Sequence, residues 1–87
     1  MSETDPISAE ILRQTAERGA DKSICPSEVA RALAPDAWRP LLGPIRAAAI
    51  RLAREGRVEV LRKGKPADPN QDEVRGVIRL RIVKDTP

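Results

Sequence analysis

Arginine side chains recur between residues 43 and 55, and the chemistry that they offer is the recognition of anions. A planar guanidinium group donates paired hydrogen bonds to phosphate or carboxylate oxygens and stays charged at physiological pH. At helical spacing, Arg46, Ile50 and Arg54 fall on one line of a helix, and Ala47 and Arg51 lie beside it. This pattern favours a surface that meets an anionic partner. The alternative is a solvated face that serves solubility.

A second basic set lies outside that helix and suits contacts with phosphate groups. Its members are Arg39, Arg62, Lys63 and Lys65. The last three begin a polar stretch, residues 62–75, that also carries Asp68, Asp72 and Glu73. Those acids either oppose an anionic partner or pair with the neighbouring cations, and both interpretations stay open.

The distribution of charge directs attention to the C-terminal half of the chain. The 87 residues carry a formal net charge of +3. Residues 1–44 hold five Lys/Arg against seven Asp/Glu, whereas residues 45–87 hold eleven against six. A positive field over one half favours a partner such as nucleic acid, so double-stranded DNA is the first candidate. Arg46 would then pair with guanine O6 and N7, and Ile50 would pack against a thymine methyl group.

The composition argues against catalysis. The chain has no histidine and one cysteine, Cys25, which excludes His-activated nucleophiles and a Cys/His zinc site. Its five glycines stand singly, without the spacing of a phosphate-binding loop. We therefore expect no enzyme activity, no cofactor, no metal and no small-molecule substrate.

No segment of the sequence predicts secretion or a membrane span. The first residues, MSETDP, are acidic and lack the apolar region of a signal peptide. No apolar run approaches the roughly 20 residues of a transmembrane helix, and a single cysteine needs no oxidising compartment. We expect a cytoplasmic protein with one domain, residues 6–83, between a disordered tail at 1–5 and a frayed end at 84–87.

Start and stop signals predict two short helices before the basic one. Asp5 and Pro6 begin the first, which runs over residues 6–18 and ends at Gly19. Its apolar face is Ile11, Leu12, Thr15 and Ala16. Cys25-Pro26 begins the second, which ends near Ala34. Its inward side chains are Val29, Ala32 and Leu33. The two follow the helix-turn-helix pattern, and a short strand at residues 22–25 is an option between them.

The basic helix is the third, and prolines determine where it begins. Its inward face is Ile45, Ala48, Ala49, Leu52 and Ala53. Pro44 would break a hydrogen bond inside a helix already begun, so the helix is predicted to start at Gly43-Pro44. A kinked helix from Pro40 is the alternative. Arg39 is predicted to be extended because Pro40 follows it, and Gly56 ends the helix.

After Gly56 the hydrophobic period changes to two, which predicts β-strands. Val58 and Val60 alternate with other residues, and a second alternation runs over residues 78–82. Gly64, Pro66 and Pro69 predict a long loop between them. The predicted fold is α+β, a winged helix-turn-helix of three helices followed by a two-stranded β-hairpin wing. Residues 43–55 would be the recognition helix and residues 62–75 the wing.

Three residues before the third helix carry competing interpretations. Trp38, the only aromatic residue, is predicted to be a large part of the core, with a stacking platform or interface anchor as the alternative. Arg39 beside it is predicted to brace the turn through a carboxylate such as Asp36 or Glu28. Cys25 precedes a helix start, which favours a thiolate, but a small apolar role is preferred over a redox sensor.

Several segments of the chain resemble a small bacterial domain-of-unknown-function family. They are CPSEVARAL, WRPL, IRAAAIRLAREGRVEVLRKGKPADP and GVIRLR. The resemblance covers about residues 7–83 and implies a winged-helix fold. It implies no particular activity, and the frequency of DNA binding among winged helices is an association only.

Two functions stand as predictions. One is a DNA-binding winged helix-turn-helix domain of a small regulator or accessory factor. The other is a protein-interaction module on the same scaffold, which binds a protein partner or a second copy and no DNA. In that case Ile50, Leu61 and Val77 form an exposed apolar patch, because none lies on the predicted inner face.

Overall fold

The computed structural model describes residues 5–67 and 77–83, which form three helices followed by a three-stranded antiparallel sheet. The helices are α1 (Pro6–Arg18), α2 (Pro26–Leu33) and α3 (Leu42–Arg54), and a 3-10 turn, Arg39–Leu41, directly precedes α3. The strands are β1 (Val58–Arg62), β2 (Lys65–Ala67) and β3 (Ile78–Ile82). The predicted α+β architecture is confirmed and is compatible with a winged helix. The expectations for residues 1–4, 84–87, Asp68, Asp72 and Glu73 lie outside the described residues.

The first two helices begin and end where their sequence signals predict. The Asp5 carboxylate accepts a hydrogen bond from the Ile7 N–H at 3.3 Å, and Gly19 ends α1 with a φ of 90°. At the start of α2, the Glu28 carboxylate accepts a hydrogen bond from the Cys25 N–H at 2.9 Å. These bonds satisfy donors that the first helical turn leaves without an intrahelical partner.

Three residues predicted to face inward are exposed instead. Ala16 of α1 and Ala32 of α2 lie on the solvent side, and Leu33, the last residue of α2, is 36% exposed. Ala30 is buried beside Val29 in their place. The physical reason is length, because α2 has only two turns and its last residue lies at the edge of the core.

The chain is helical earlier than the prolines predict. The prediction that Arg39 is extended is wrong, because it is the first residue of the 3-10 turn, which the Leu41 N–H closes on the Trp38 carbonyl at 3.0 Å. Helix α3 then begins at Leu42, one residue before the predicted start, so Pro44 falls in its first turn. Proline is tolerated there because the N–H that it lacks has no partner within the helix.

The sheet has one strand more than the predicted hairpin. β1 pairs with β3 as predicted, in a register that sets Val60 opposite Leu80. The prediction of a long loop after residue 62 is wrong for its first residues. The chain reverses at Lys63-Gly64, and Lys65–Ala67 then pair with β1. Pro66 fits there because β2 is an edge strand, which needs fewer N–H donors. The optional strand at 22–25 is reduced to one bridge, Ile24 to Leu80.

The core lies between the three helices and one face of the sheet. The buried cluster consists of Ile11, Ile24, Val29, Ala30, Ile45, Ala48, Ala49, Leu52, Val58, Val60, Ile78 and Leu80. Four of the five residues predicted for the inner face of α3 are in it, and Ala53 packs against it half-buried. Leu61 is only 6% exposed, so the predicted patch of Ile50, Leu61 and Val77 loses one of its members.

Candidate functional site

The outward side of α3 carries most of the residues predicted for recognition. Ala47 and Arg54 are exposed, while Arg46 and Ile50 are half-buried on the flank. The burial of Ile45, Ala48, Ala49 and Leu52 beneath them determines this orientation. The helical period therefore indicates correctly which side of α3 is outward.

Arg51 has a different role from its predicted neighbours. Its guanidinium donates a hydrogen bond to Ser8 Oγ and lies 3.6 Å from the Asp5 carboxylate at the start of α1. A second carboxylate, that of Glu55, is 3.9 Å away. Arg51 therefore joins α3 to α1.

The β1–β2 connection forms an exposed basic hairpin tip, Arg62–Lys65. Lys63 and Gly64 are its two turn residues, and both have positive φ, at 54° and 80°. Two consecutive positive φ values are the mark of a type I′ hairpin turn. Arg62, Lys63 and Lys65 are all exposed. Within residues 5–67 and 77–83, no carboxylate lies within ion-pair distance of these three cations.

A shared neighbour links the hairpin tip to α3. Arg62 of β1 stands opposite Ile78 of β3. Ile78 and Arg46 in turn line one open groove of about 200 Å³. The groove is also lined by Cys25, Pro26, Ser27, Leu42 and Val77. The basic hairpin and the N-terminal half of α3 therefore occupy the same end of the molecule.

A separate cationic cluster surrounds Trp38. The guanidinium carbon of Arg31 lies 4.5 Å from the indole centroid, and that of Arg39 lies 4.7 Å from it. Trp38 is half-buried and packs against the core without belonging to its buried cluster, so it contributes less to the core than predicted. The predicted brace from Arg39 to a carboxylate such as Asp36 or Glu28 is wrong, since Arg39 lies over the indole and forms an ion pair with neither; Glu28 instead accepts from Arg18 at 2.7 Å.

Several arginines elsewhere have polar partners within the protein. Arg13 pairs with Glu10 and Glu17 along α1. Other examples are Arg18 with Glu28, Arg79 with Ser23 and Arg81 with Glu59. Hydrogen bonds from Arg13 and Gln14 lower the pKa of Glu10. The carboxylate partners offset the charges of Arg13, Arg18 and Arg81, whereas the hydrogen bond of Arg79 to Ser23 leaves its charge in place.

Three other features of the described residues are metal-binding groups, the cysteine thiol and the length of the helices. In that part of the chain, no group of three or more Cys, Asp or Glu side chains could hold a metal ion. Cys25 is a half-buried free thiol whose sulfur accepts a hydrogen bond from Ser27 Oγ at 3.1 Å. None of the described helices is long and apolar enough to cross a membrane.

Sequence reasoning missed two residues that contact arginine or tryptophan side chains of the candidate site, Arg31 and Ser8. Arg31 reaches Trp38 across the break between α2 and the 3-10 turn, so no helical spacing signals their contact. Ser8 is fully buried although it is polar; besides its local hydrogen bond to Asp5, its hydroxyl accepts one from Arg51, which is 43 positions away. Neither contact leaves a local pattern in the sequence.

Comparison with known proteins identifies a family and no activity. No curated protein matches the chain. A family model described as a protein of unknown function, DUF3253, matches residues 4–83. Because the match spans nearly the whole chain, this protein belongs to the DUF3253 family.

Proposed function

We propose that this protein is a winged helix-turn-helix domain that binds double-stranded DNA. In this proposal α3 enters the major groove and the hairpin tip contacts the adjacent phosphate backbone. The observation that carries the proposal is the exposed hairpin tip, whose three cations have no carboxylate partner among the described residues. A wing of this kind positions a domain on DNA without reading the sequence.

The relation between the hairpin tip and α3 supports a single binding face. Arg62 stands opposite Ile78, which shares a groove with Arg46, so both basic elements meet one side of a duplex. In helix-turn-helix docking, residues near the start of the recognition helix contact base edges. Arg46, in the first half of α3, is the proposed base-reading residue, worth about 1–3 kcal/mol of discrimination if it pairs with guanine.

Of the other residues predicted to contact the groove, Ala47 and Arg54 are kept in this proposal and Arg51 is not. Ala47 is exposed next to Arg46, and Arg54 is exposed about two turns further along α3; both belong to the proposed recognition face. Arg51 is left out, because its guanidinium is held by Ser8 and Asp5.

The experiment is a titration of a fluorescent duplex of mixed sequence at two salt concentrations, about 50 and 200 mM. We expect micromolar binding that weakens steeply with salt, because bound phosphates release condensed counterions. The double variant Arg62→Ala/Lys65→Ala should lower the magnitude of the salt slope by about two, since two phosphate contacts are removed. The matched control is Arg13→Ala/Lys22→Ala, which removes the same charge from the α1 side.

Two results would contradict the proposal. The first is the absence of binding by the unaltered protein at low salt and micromolar concentration. The second is an equal loss of affinity in both double variants, which would show a nonspecific effect of net charge. Sedimentation of the protein alone tests the alternative, since a stable dimer that covers α3 would support an interaction module instead.

A further inference from the structure

Among the described arginines, Arg31 and Arg39 are held in an uncommon way. Both side chains are exposed, and both guanidinium groups lie over the ring of Trp38. Within the described ranges neither one has a carboxylate partner, unlike Arg13, Arg18 and Arg81. Stacking on an aromatic face uses the plane of the guanidinium and leaves its N–H edges available.

This geometry suits an anion with several oxygen acceptors. Two exposed guanidinium groups held against one indole concentrate positive charge there, which attracts an anion. The indole restricts the guanidinium groups before binding, so less side-chain entropy is lost when they bind. Phosphate groups, with several oxygens each, match the paired donors of arginine.

We propose that Arg31 and Arg39, oriented by Trp38, form a second phosphate-backbone contact for duplex DNA. The inference rests on the function proposed above. Arg31 lies in the last turn of α2, and Arg39 begins the turn that leads into α3. In helix-turn-helix docking the helix before the recognition helix, here α2, crosses the backbone, while the start of the recognition helix, here α3, enters the groove. The cluster lies at that junction, away from the hairpin tip in the sequence.

The test compares three single variants of the full chain with the unaltered protein. Arg31→Gln and Arg39→Gln remove one cation each from the cluster, and Arg13→Gln removes one from α1 as a matched control. For each cluster variant we expect duplex affinity to fall about three- to tenfold at low salt, and the salt slope to shrink by about one. Arg13→Gln should leave both quantities unchanged.

The fluorescence of Trp38 gives a second, local measurement. Because Trp38 is the only aromatic residue, its emission reports on this cluster alone. Duplex DNA should change the emission saturably, and the change should shrink in Arg31→Gln and Arg39→Gln. Poly-glutamate at the same charge concentration should have a much weaker effect, since single carboxylates do not reproduce the phosphate backbone. An equal effect would overturn the phosphate assignment in favour of an acidic protein partner.

The failures of the two proposals are distinguishable. If the unaltered protein binds duplex DNA and all three variants bind equally well, the cluster is not a contact site and the proposed function stands. If the unaltered protein does not bind, both proposals are overturned. Far-UV circular dichroism of each variant verifies that a lost affinity is not a lost fold.

Discussion

Arg51 of α3 donates a hydrogen bond to the hydroxyl of Ser8 in α1, although 43 positions separate them. Ser8 is fully buried, and its hydroxyl donates in turn to the Asp5 carboxylate at 3.0 Å. The same carboxylate caps α1 through the Ile7 N–H. One chain of hydrogen bonds therefore joins the start of α1 to the last turn of α3.

Removing the arginine from this chain should weaken the fold. We expect Arg51→Ala to lower the free energy of unfolding by about 1–2 kcal/mol, because a buried hydroxyl loses its donor. Urea denaturation followed by circular dichroism measures the change. The control is Arg13→Ala, whose ion pairs lie on the surface of α1 and should contribute less than about 0.5 kcal/mol. Equal losses in the two variants would contradict a structural role for the Ser8 contact.

Between about pH 3 and pH 8, the free energy of unfolding should depend on pH only at the acid end of the range. The Cys25 N–H, and secondarily Arg18, lower the pKa of Glu28 below its ordinary value of 4.5. A carboxyl with a lowered pKa in the folded state stabilises the fold fully above pH 4.5, and this stabilisation is lost as the pH falls through the folded-state value. The pKa values of Asp5 and Glu10 are lowered as well, chiefly by hydrogen bonds from Ser8 and from Arg13.

The measurement is the free energy of unfolding from about pH 3 to pH 8. Because the chain has no histidine, we expect a nearly flat profile from about pH 5.5 to pH 8 and a decline below pH 4.5. Glu28→Gln should make the decline shallower. An unchanged decline in that variant would show that the Glu28 cap does not contribute to it.

Two leucines distinguish the observed packing from the packing that periodicity predicts. Periodicity turns Leu33 inward and Leu61 outward, but Leu33 is 36% exposed and Leu61 is 6% exposed. We expect Leu61→Ala to cost about 2–5 kcal/mol of stability, because it removes buried methyl groups and leaves a cavity. Leu33→Ala should cost about 1 kcal/mol or less. Denaturant midpoints of the two variants measure this difference, and the reverse order would contradict the structure.

The turn at Lys63-Gly64 allows binding and stability to be separated. Asparagine adopts positive φ more readily than lysine, so Lys63→Asn should leave stability unchanged or raise it by up to about 1 kcal/mol. The same variant should lose one phosphate contact and weaken duplex binding. Gly64→Ala should destabilise the hairpin by about 1 kcal/mol through its positive φ alone, since no atom beyond Gly64 and its two chain neighbours lies within 4 Å of the added methyl carbon.

Thermal denaturation and duplex titration of these two turn variants are the measurements. A Lys63→Asn protein that is as stable as the unaltered chain but binds duplex equally well would remove Lys63 from the proposed interface. A Lys63→Asn protein that is markedly less stable would contradict the type I′ geometry of the turn.

Local patterns in the sequence were sufficient for most of the architecture. Asp5, Pro6 and Gly19 predicted both ends of α1, because capping and positive φ depend on neighbouring residues only. The helical period predicted the inner face of α3. The two-residue hairpin was missed although Lys63-Gly64 carries a signal, because the prolines after it were interpreted as excluding a strand, and an edge strand tolerates them.

The candidate site divides in the same way. The sequence alone determined the positions of the basic residues, the outward line of α3 and the absence of histidine chemistry, because these follow from residue type and helical period. Only the tertiary structure decided that Arg51 is held by α1, that Leu61 is buried and that Arg31 reaches Trp38. Such contacts join residues that are distant along the chain or separated by a break in the helix, and their energies depend on the packing of whole elements, which no local pattern records.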